Sequence, residues 1–239
     1  MKLGEMSWKD FKDSKPKTAV VPTGSTEQHG PHAPLQTDTL IAEAMAEKAT
    51  EETDTLLLPS INVGVSREHS SFPGTLSLSP DTFRSQLTET ILSAHDSGVE
   101  KFVVVNGHGG NVRYIREVCE NLYHDEGLLV LEWTWFDAIN ARGMGHAGEL
   151  ETSLLLYLEE DLLSEPGEPG DTSWGKKMHG AIFDYDTEFF TRDGVVGDPN
   201  EASTEKGEKI FEQSTEELSD LLKALISDKN DFSEAFFAE

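Results

Sequence analysis

Apolar positions in this chain fall into two alternating rhythms, short unbroken runs and longer stretches at helical spacing. Thr18-Ala19-Val20-Val21 is unbroken and reads as a buried strand. From Thr39 to Ala49, Leu40, Ile41, Ala44, Met45 and Ala49 recur at helical spacing, which predicts a helix with Asp38 at or near its start. Leu56-Leu57-Leu58-Pro59 predicts a second strand and opens an irregular stretch from Gly64 to Gly74. Ser79-Pro80-Asp81 starts a helix with proline at the first helical position, and Phe83, Leu87, Ile91 and Leu92 form its buried stripe up to Gly98. Phe102 to Val105 predicts a third strand. Val112, Ile115, Cys119 and Leu122 mark the next helix, and Leu128 to Leu131 a fourth strand.

A further helix from Glu149 carries Leu154, Leu155 and Leu158. Residues 163–200, rich in Gly, Pro, Asp and Thr, yield only a short strand at Val195-Val196. The chain closes with an amphipathic helix through Ile210, Phe211, Leu218, Leu221, Leu222 and Leu225. Strands alternating with helices imply an α/β fold, a mainly parallel sheet with helices on both faces. No repeat or dividing linker is visible, so residues 1–239 are expected to form one domain.

Composition narrows the setting. No apolar run approaches the ~20 residues that span a bilayer, and Met1-Lys2-Leu3-Gly4-Glu5 lacks the apolar core of a signal peptide. A soluble cytoplasmic protein is expected. The single cysteine, Cys119, has no internal disulfide partner and sits at the spacing of a buried small hydrophobe. Acidic residues outnumber basic ones 45 to 19, a formal net charge of −26, which repels nucleic acid and anionic membrane and excludes both as expected partners. Because the acid is spread (Glu51, Glu52, Asp54, Glu216, Glu217) over persistent apolar periodicity, it reads as a coat on a folded core. That is the pattern of halophile proteins and predicts a salt-adapted, archaeal host.

Two clusters carry chemistry. Gly24-Ser25-Thr26-Glu27-Gln28-His29-Gly30-Pro31-His32, with Asp38 beyond it, follows the first strand; Asn106-Gly107-His108-Gly109-Gly110-Asn111 follows the third. Loops at the carboxyl ends of parallel strands converge. Carboxylates and neutral imidazoles together suit a divalent transition metal, and a carboxylate can bridge two such ions. Taken singly, Glu27 or Asp38 is also a plausible helix cap and His29 or His108 a backbone-bonded loop histidine.

With Thr37-Asp38, Ser71-Phe72-Pro73-Gly74-Thr75 and His146-Ala147-Gly148-Glu149-Leu150-Glu151-Thr152-Ser153, and a weaker echo at Gly197-Asp198-Pro199, these segments resemble in content and order the creatininase (creatinine amidohydrolase) family of metal-dependent amidohydrolases. The resemblance implies a three-layer α/β/α sandwich with a dinuclear centre of zinc, iron or manganese. Glu27, His29, Asp38 and His108 fall on the family's ligands, with Asp38 bridging two ions and a bridging hydroxide attacking the amide. Creatininase carries a Glu two residues after the histidine matching His108, where this chain has Gly110. A further ligand must come from elsewhere, and Glu151 is preferred to Glu149 because Glu-Thr-Ser matches the family. His146 matches a family histidine that serves as proton carrier to the leaving nitrogen. Catalytic roles are therefore expected of His146 and Glu151. His32 and His69 are placed around this set or facing substrate.

Substrate contacts are expected from Arg67, Ser71, Gly109, Gly110 and Trp174, the last because creatininase uses tryptophans on a mobile loop. Trp133, Trp135 and Phe136 read equally as core. Members of the family open creatinine, deformylate a formamidopyrimidine nucleotide in flavin and deazaflavin biosynthesis, or trim a peptide cofactor precursor. Gly110 speaks against creatinine, and the archaeal reading favours the deformylase, which acts on a non-peptide C–N bond of 2-amino-5-formylamino-6-ribosylaminopyrimidinone phosphate. Its phosphate needs cationic donors, for which Arg67, Arg113, Arg142, Lys176 and Lys177 are candidates. Expected partners are a small-molecule amide substrate and further copies of the chain, in dimer-based assemblies up to a hexamer. A catalytically inactive metal- or metabolite-binding protein is the alternative of another class, disfavoured by the intact ligand set.

Overall fold

A computed structural model describes residues 1–141 and 144–227. Four parallel strands form the central sheet: β1 (Thr18–Thr23), β2 (Leu56–Leu57), β3 (Lys101–Asn106) and β4 (Leu129–Thr134), in the order β2-β1-β3-β4. Register runs Ala19 opposite Phe102 and Phe102 opposite Val130, so the carboxyl ends of β1, β3 and β4 lie level.

Alternate residues of each strand feed different cores, which is why the strands are apolar throughout. Ala19, Val21, Phe102 and Val104 pack with Phe83, Leu87 and Ile91 of α3 (Pro80–Asp96) and Ile115 and Val118 of α4 (Val112–Glu126). Val20, Val103 and Val105 face Ala42, Ala46 and Ala49 of α2 (Thr37–Thr53) and Leu218, Leu222 and Leu225 of α7 (Thr204–Ile226). A third cluster joins Ile41 and Met45 to Leu154 of α6 (Glu149–Leu158) and Phe211 of α7. These are the three layers expected. A short α1 (Trp8–Ser14) precedes the sheet, and α5 (Trp135–Ala138) follows β4.

Local chemistry sets the boundaries. Ser79 caps α3 by accepting from the Thr82 amide, with Pro80 at the first position, and Ser203 caps α7 by accepting from Lys206. Strand β2 is shorter than the apolar run: Leu58 still donates to Val20 O, but Pro59 has no amide to continue the ladder. Strand β4 extends to Thr134, past the expected Leu131, so Trp133 lies within it. Val195-Val196 is no strand; Val196 makes isolated bridges to His146 and Asp171. Residues 163–200 instead hold a small hairpin, β5 (Lys176–Met178) and β6 (Ala181–Phe183), turned at His179-Gly180 with φ positive at both.

Cys119 packs against the first core, and burial pushes its thiol up to about 12. Glu51, Glu52, Asp54, Glu216 and Glu217 are exposed, a coat over the buried Ala49 and Leu218. Among the described residues no helix is long and apolar enough to cross a membrane.

Candidate metal centre

The loop after β1 delivers Glu27 and His29, the first turn of α2 delivers Asp38, and the loop after β3 delivers His108; all four are buried. Their meeting depends on Gly107, where a Cβ would stand 2.1 Å from Asp38 O, inside any contact distance. The bare backbone lets the two loops touch. Asp38 is central: its Oδ1 lies 3.1 Å from His29 Nε2 and its Oδ2 3.2 Å from His108 Nδ1. The same His108 nitrogen is 3.2 Å from Glu27 Oε2.

A second wall comes from later in the chain. His146 and Val196 exchange both backbone hydrogen bonds at 2.8 Å, and His146 Nδ1 stands 3.9 Å from Glu27 Oε1. Its Nε2–H donates to Gln28 O at 2.7 Å, which leaves Nδ1 as the lone pair facing the carboxylates. Ala147 follows at φ +51, a left-handed conformation uncommon for alanine, and its amide donates to Glu151 Oε2 at 2.5 Å. Glu151 Oε1 is 3.7 Å from His29 Nε2. Of the two carboxylates the motif offered, the structure brings Glu151 to the cluster. Glu149 turns outward to Lys206 at 2.7 Å.

His69, which sequence reasoning left at the periphery, touches the centre: Nε2 is 3.2 Å from Glu27 Oε1. Gln28 fixes its tautomer, since Gln28 Oε1 accepts from Gly30 N and Nε2 then donates to His69 Nδ1 at 2.8 Å, placing the ring proton on Nε2. Only its place in a loop between two glycines hinted at this. His32 lies behind, buried and bonded to Thr152 Oγ1 at 3.0 Å.

Electrostatics follow the geometry. Burial opposes the charge of Glu27, yet His108 and His69 outweigh it and hold the carboxyl well below its usual range. Burial likewise works against His29 and His108, but Asp38 and Glu151 around the first, and Glu27 and Asp38 around the second, hold both imidazoles well above theirs. Burial, with the neighbouring imidazoles, keeps His69 well below and His146 below the histidine range.

Despite these close approaches, Glu27 Oε1 and Oε2 and Asp38 Oδ2 are fully buried without a hydrogen-bond partner. Unpaired buried carboxylate oxygens are costly. Among the described residues three sets of donors lie within 4.8 Å of one another: Glu27, His29 and Asp38; His29, His146 and Glu151; Glu27, His69 and His146. A hard–borderline donor set of this kind, with orphaned oxygens pointing inward, fits divalent transition ions.

The cluster floors a cavity of about 950 Å³. Arg67, Gly109, Gly110 and Trp174, named above as substrate contacts, line it, and so does Arg113. Trp174 sets its ring edge-on to His69 and His146, at 5.8 and 6.2 Å. Ser71 is a correction: it donates to the Asp186 carboxylate at 3.0 Å on the exposed surface and does not line the cavity, because the turn after His69 carries it outward. Lys176 pairs with Asp171, and Lys177 stands exposed on β5; neither lines the cavity. Trp135 is fully buried core, whereas Phe136 reaches the cavity. Arg142 lies outside the described residues.

Comparison with known proteins matches residues 4–222 to the Creatininase family model, described as creatinine amidohydrolase. The chain is 34% identical over 218 residues to a mycofactocin precursor peptide peptidase of Mycolicibacterium smegmatis, covering 88% of this chain and 86% of the relative. It is 25% identical over 249 residues to the creatinine amidohydrolase of Pseudomonas putida, covering 92% and 95%. The crystal structure of a creatinine amidohydrolase superposes with TM-score 0.84 at 25% identity over 95% of this chain and 98% of that one. Two further creatininase structures, described as a Zn-Zn type and as creatininase Mn, share the fold at TM-score 0.82, with 23% and 24% identity.

Proposed function

The chain belongs to the creatininase family, and from that premise we propose that it hydrolyses the C–N bond of an amide in a peptide-like substrate, with two divalent ions held by Glu27, His29, Asp38, His108 and Glu151. The observation that carries this reading is the set of buried oxygens on Glu27 and Asp38, crowded by imidazoles and without hydrogen bonds. Cations satisfy such oxygens, and relatives described with zinc or manganese support the choice of metal.

When bound, the ions supply Lewis-acid polarisation of the amide carbonyl and a nucleophilic water near neutral pH. The protein's own residues do the rest. Asp38, between His29 and His108, fixes the spacing of the two halves of the ligand set. His146, neutral and with Nδ1 open to the cluster, accepts a proton at that atom and returns it to the departing nitrogen. His69 steadies Glu27, and Trp174 shields the imidazoles from solvent.

A peptide-like substrate is supported by the peptidase name of relatives 34% identical across most of both chains, and by a cavity of about 950 Å³, ample for more than a small ring. Such a substrate goes beyond the non-peptide C–N bond that the deformylase reading of the sequence implies. Deformylation of a phosphorylated formamidopyrimidine remains as a second reading, favoured by Arg67 and Arg113 in the cavity wall. The test is metal analysis followed by an activity screen of zinc- and manganese-loaded protein on short peptides, the formamidopyrimidine nucleotide and creatinine. Peptide cleavage that is lost on chelation and restored by metal is expected. Stoichiometric metal with no turnover of any amide would overturn the reading in favour of a binding protein.

A further inference from the structure

Acid dominates this chain, and its arginines are few: Arg67, Arg84, Arg113, Arg116, Arg142 and Arg192. Three of these six, Arg67, Arg113 and Arg116, line the one cavity above the carboxylate–imidazole cluster. With 45 acidic side chains available, pairing is the default state of an arginine here, and among the described residues Arg84, Arg116 and Arg192 follow it. Arg84 binds Asp81 and Glu117, Arg116 binds Glu132 at 2.9 Å and Asp137 at 3.4 Å, and Arg192 binds Asp193. Arg113 stops at a neutral partner: it lies 4.6 Å over the Tyr114 ring and donates to the Tyr114 hydroxyl. Among the described residues Arg67 has neither a hydrogen bond nor an ion pair, and it is exposed towards the cavity.

The backbone that presents Arg67 is held firmly. It opens the helical turn Arg67–His69, whose last residue stands 3.2 Å from Glu27, and Thr187 Oγ1 donates to Glu68 O at 2.9 Å to pin the middle of that turn. The turn packs on bare backbone at Gly110, where a Cβ would come within 2.5 Å of Val65 O and 2.6 Å of Glu68 Oε1. Glycine at 110 thus admits the Arg67 turn to the cavity wall at a fixed distance from the cluster.

We infer that Arg67, with Arg113 lining the same cavity, is the seat for an anionic group, carboxylate or phosphate, carried by the substrate away from the bond that is cut. The guanidinium fork matches both groups in two parallel hydrogen bonds. A local cationic seat is also what a protein of formal charge −26 needs in order to hold an anionic substrate that its surface as a whole repels. The inference names the substrate class of the hydrolase proposed above and rests on that reading for its link to catalysis.

Calorimetric titration of metal-loaded protein with three probes tests it: an N-acetyl dipeptide with a free carboxylate, the same dipeptide as its amide, and ribose 5-phosphate. Wild type should bind one of the anionic probes roughly 10- to 100-fold more tightly than the neutral one, the range of a hydrogen bond to a charged group. The preferred anion tells carboxylate from phosphate. Arg67→Ala should lose the preference and Arg67→Lys keep part of it, with metal content and melting temperature unchanged in both. A wild type without preference, or an Arg67→Ala protein that retains it, overturns the inference; the second result would mean the anion sits on the metal. Binding needs no turnover. Anion preference without amide cleavage would therefore defeat the hydrolase reading alone, and cleavage without anion preference would defeat the seat alone.

Discussion

Two regions build this site by different means. The strand-end half, Glu27, His29, Asp38 and His108, is buried, and its loops are locked together by close backbone approach at Gly107. The late half, from His146 to Phe189, contributes the buried His146 and Glu151 and then a surface of exposed aromatic and apolar side chains, with Phe189, Met178 and Tyr185 at 72, 72 and 64% exposure. The first gathers buried charge; the second carries exposed apolar surface, of which Trp174 and Tyr185 line the cavity. Metal content should therefore report on the first half together with Glu151, and substrate affinity on the cavity-lining Trp174 and Arg67.

The strongest way to break that division is Asp38→Ala. Since Asp38 touches both His29 and His108, the variant should lose both ions by elemental analysis and all hydrolysis with them. Full metal retention would dissolve the distinction. His146→Asn crosses the two regions: metal content should hold while kcat falls roughly 10²- to 10⁴-fold, the range for a general acid or base. A substrate with a better leaving group should recover much of that loss, and equal damage on both would count against the proton role.

Next in size is pH. In the metal-free protein His29 and His108 are held above the usual histidine range, so both carry protons near neutrality and must release them to ligate a metal. Affinity should rise with pH, by up to about tenfold per unit for each proton displaced, and buffers of different ionisation enthalpy should reveal the release. Trp174→Ala should sharpen the comparison from the other side, raising KM by roughly 3- to 10-fold, the worth of an aromatic contact, at unchanged metal content. Molar potassium chloride should leave this division intact while raising the melting temperature, because screening to ~3 Å relieves repulsion in the acidic coat. A flat response would remove the basis for a salt-adapted host.

The same contrast marks what could be read from sequence. Strand–helix alternation and the meeting of Glu27, His29, Asp38 and His108 were legible because apolar runs end directly in the loops that lead to them, so local pattern and long-range position coincide, whereas a ligand role for them was implied only by the family resemblance. His69 was not, since its approach to Glu27 is fixed by packing between segments 42 positions apart and by the Gln28 amide. The β5–β6 hairpin escaped because Lys176–Met178 is exposed and carries no buried alternation. Val195-Val196 misled for the opposite reason: two buried valines mimic a strand, yet only Val196 pairs, with His146 and Asp171. Ser71 belonged to a matching motif whose turn points it at Asp186.

Helix α7 closes the face of the sheet formed by Val20, Val103 and Val105, and it is the last element in the described chain. Chains emerge from the ribosome amino end first, at about 5–20 residues per second. By the time Glu151 has been made, every residue proposed to hold metal exists, but the apolar floor beneath them is still bare on one side. Protein synthesis thus imposes a delay: the growing chain cannot seal its hydrolytic centre until Leu218, Leu222 and Leu225 arrive, and a truncated product would leave that centre unsupported.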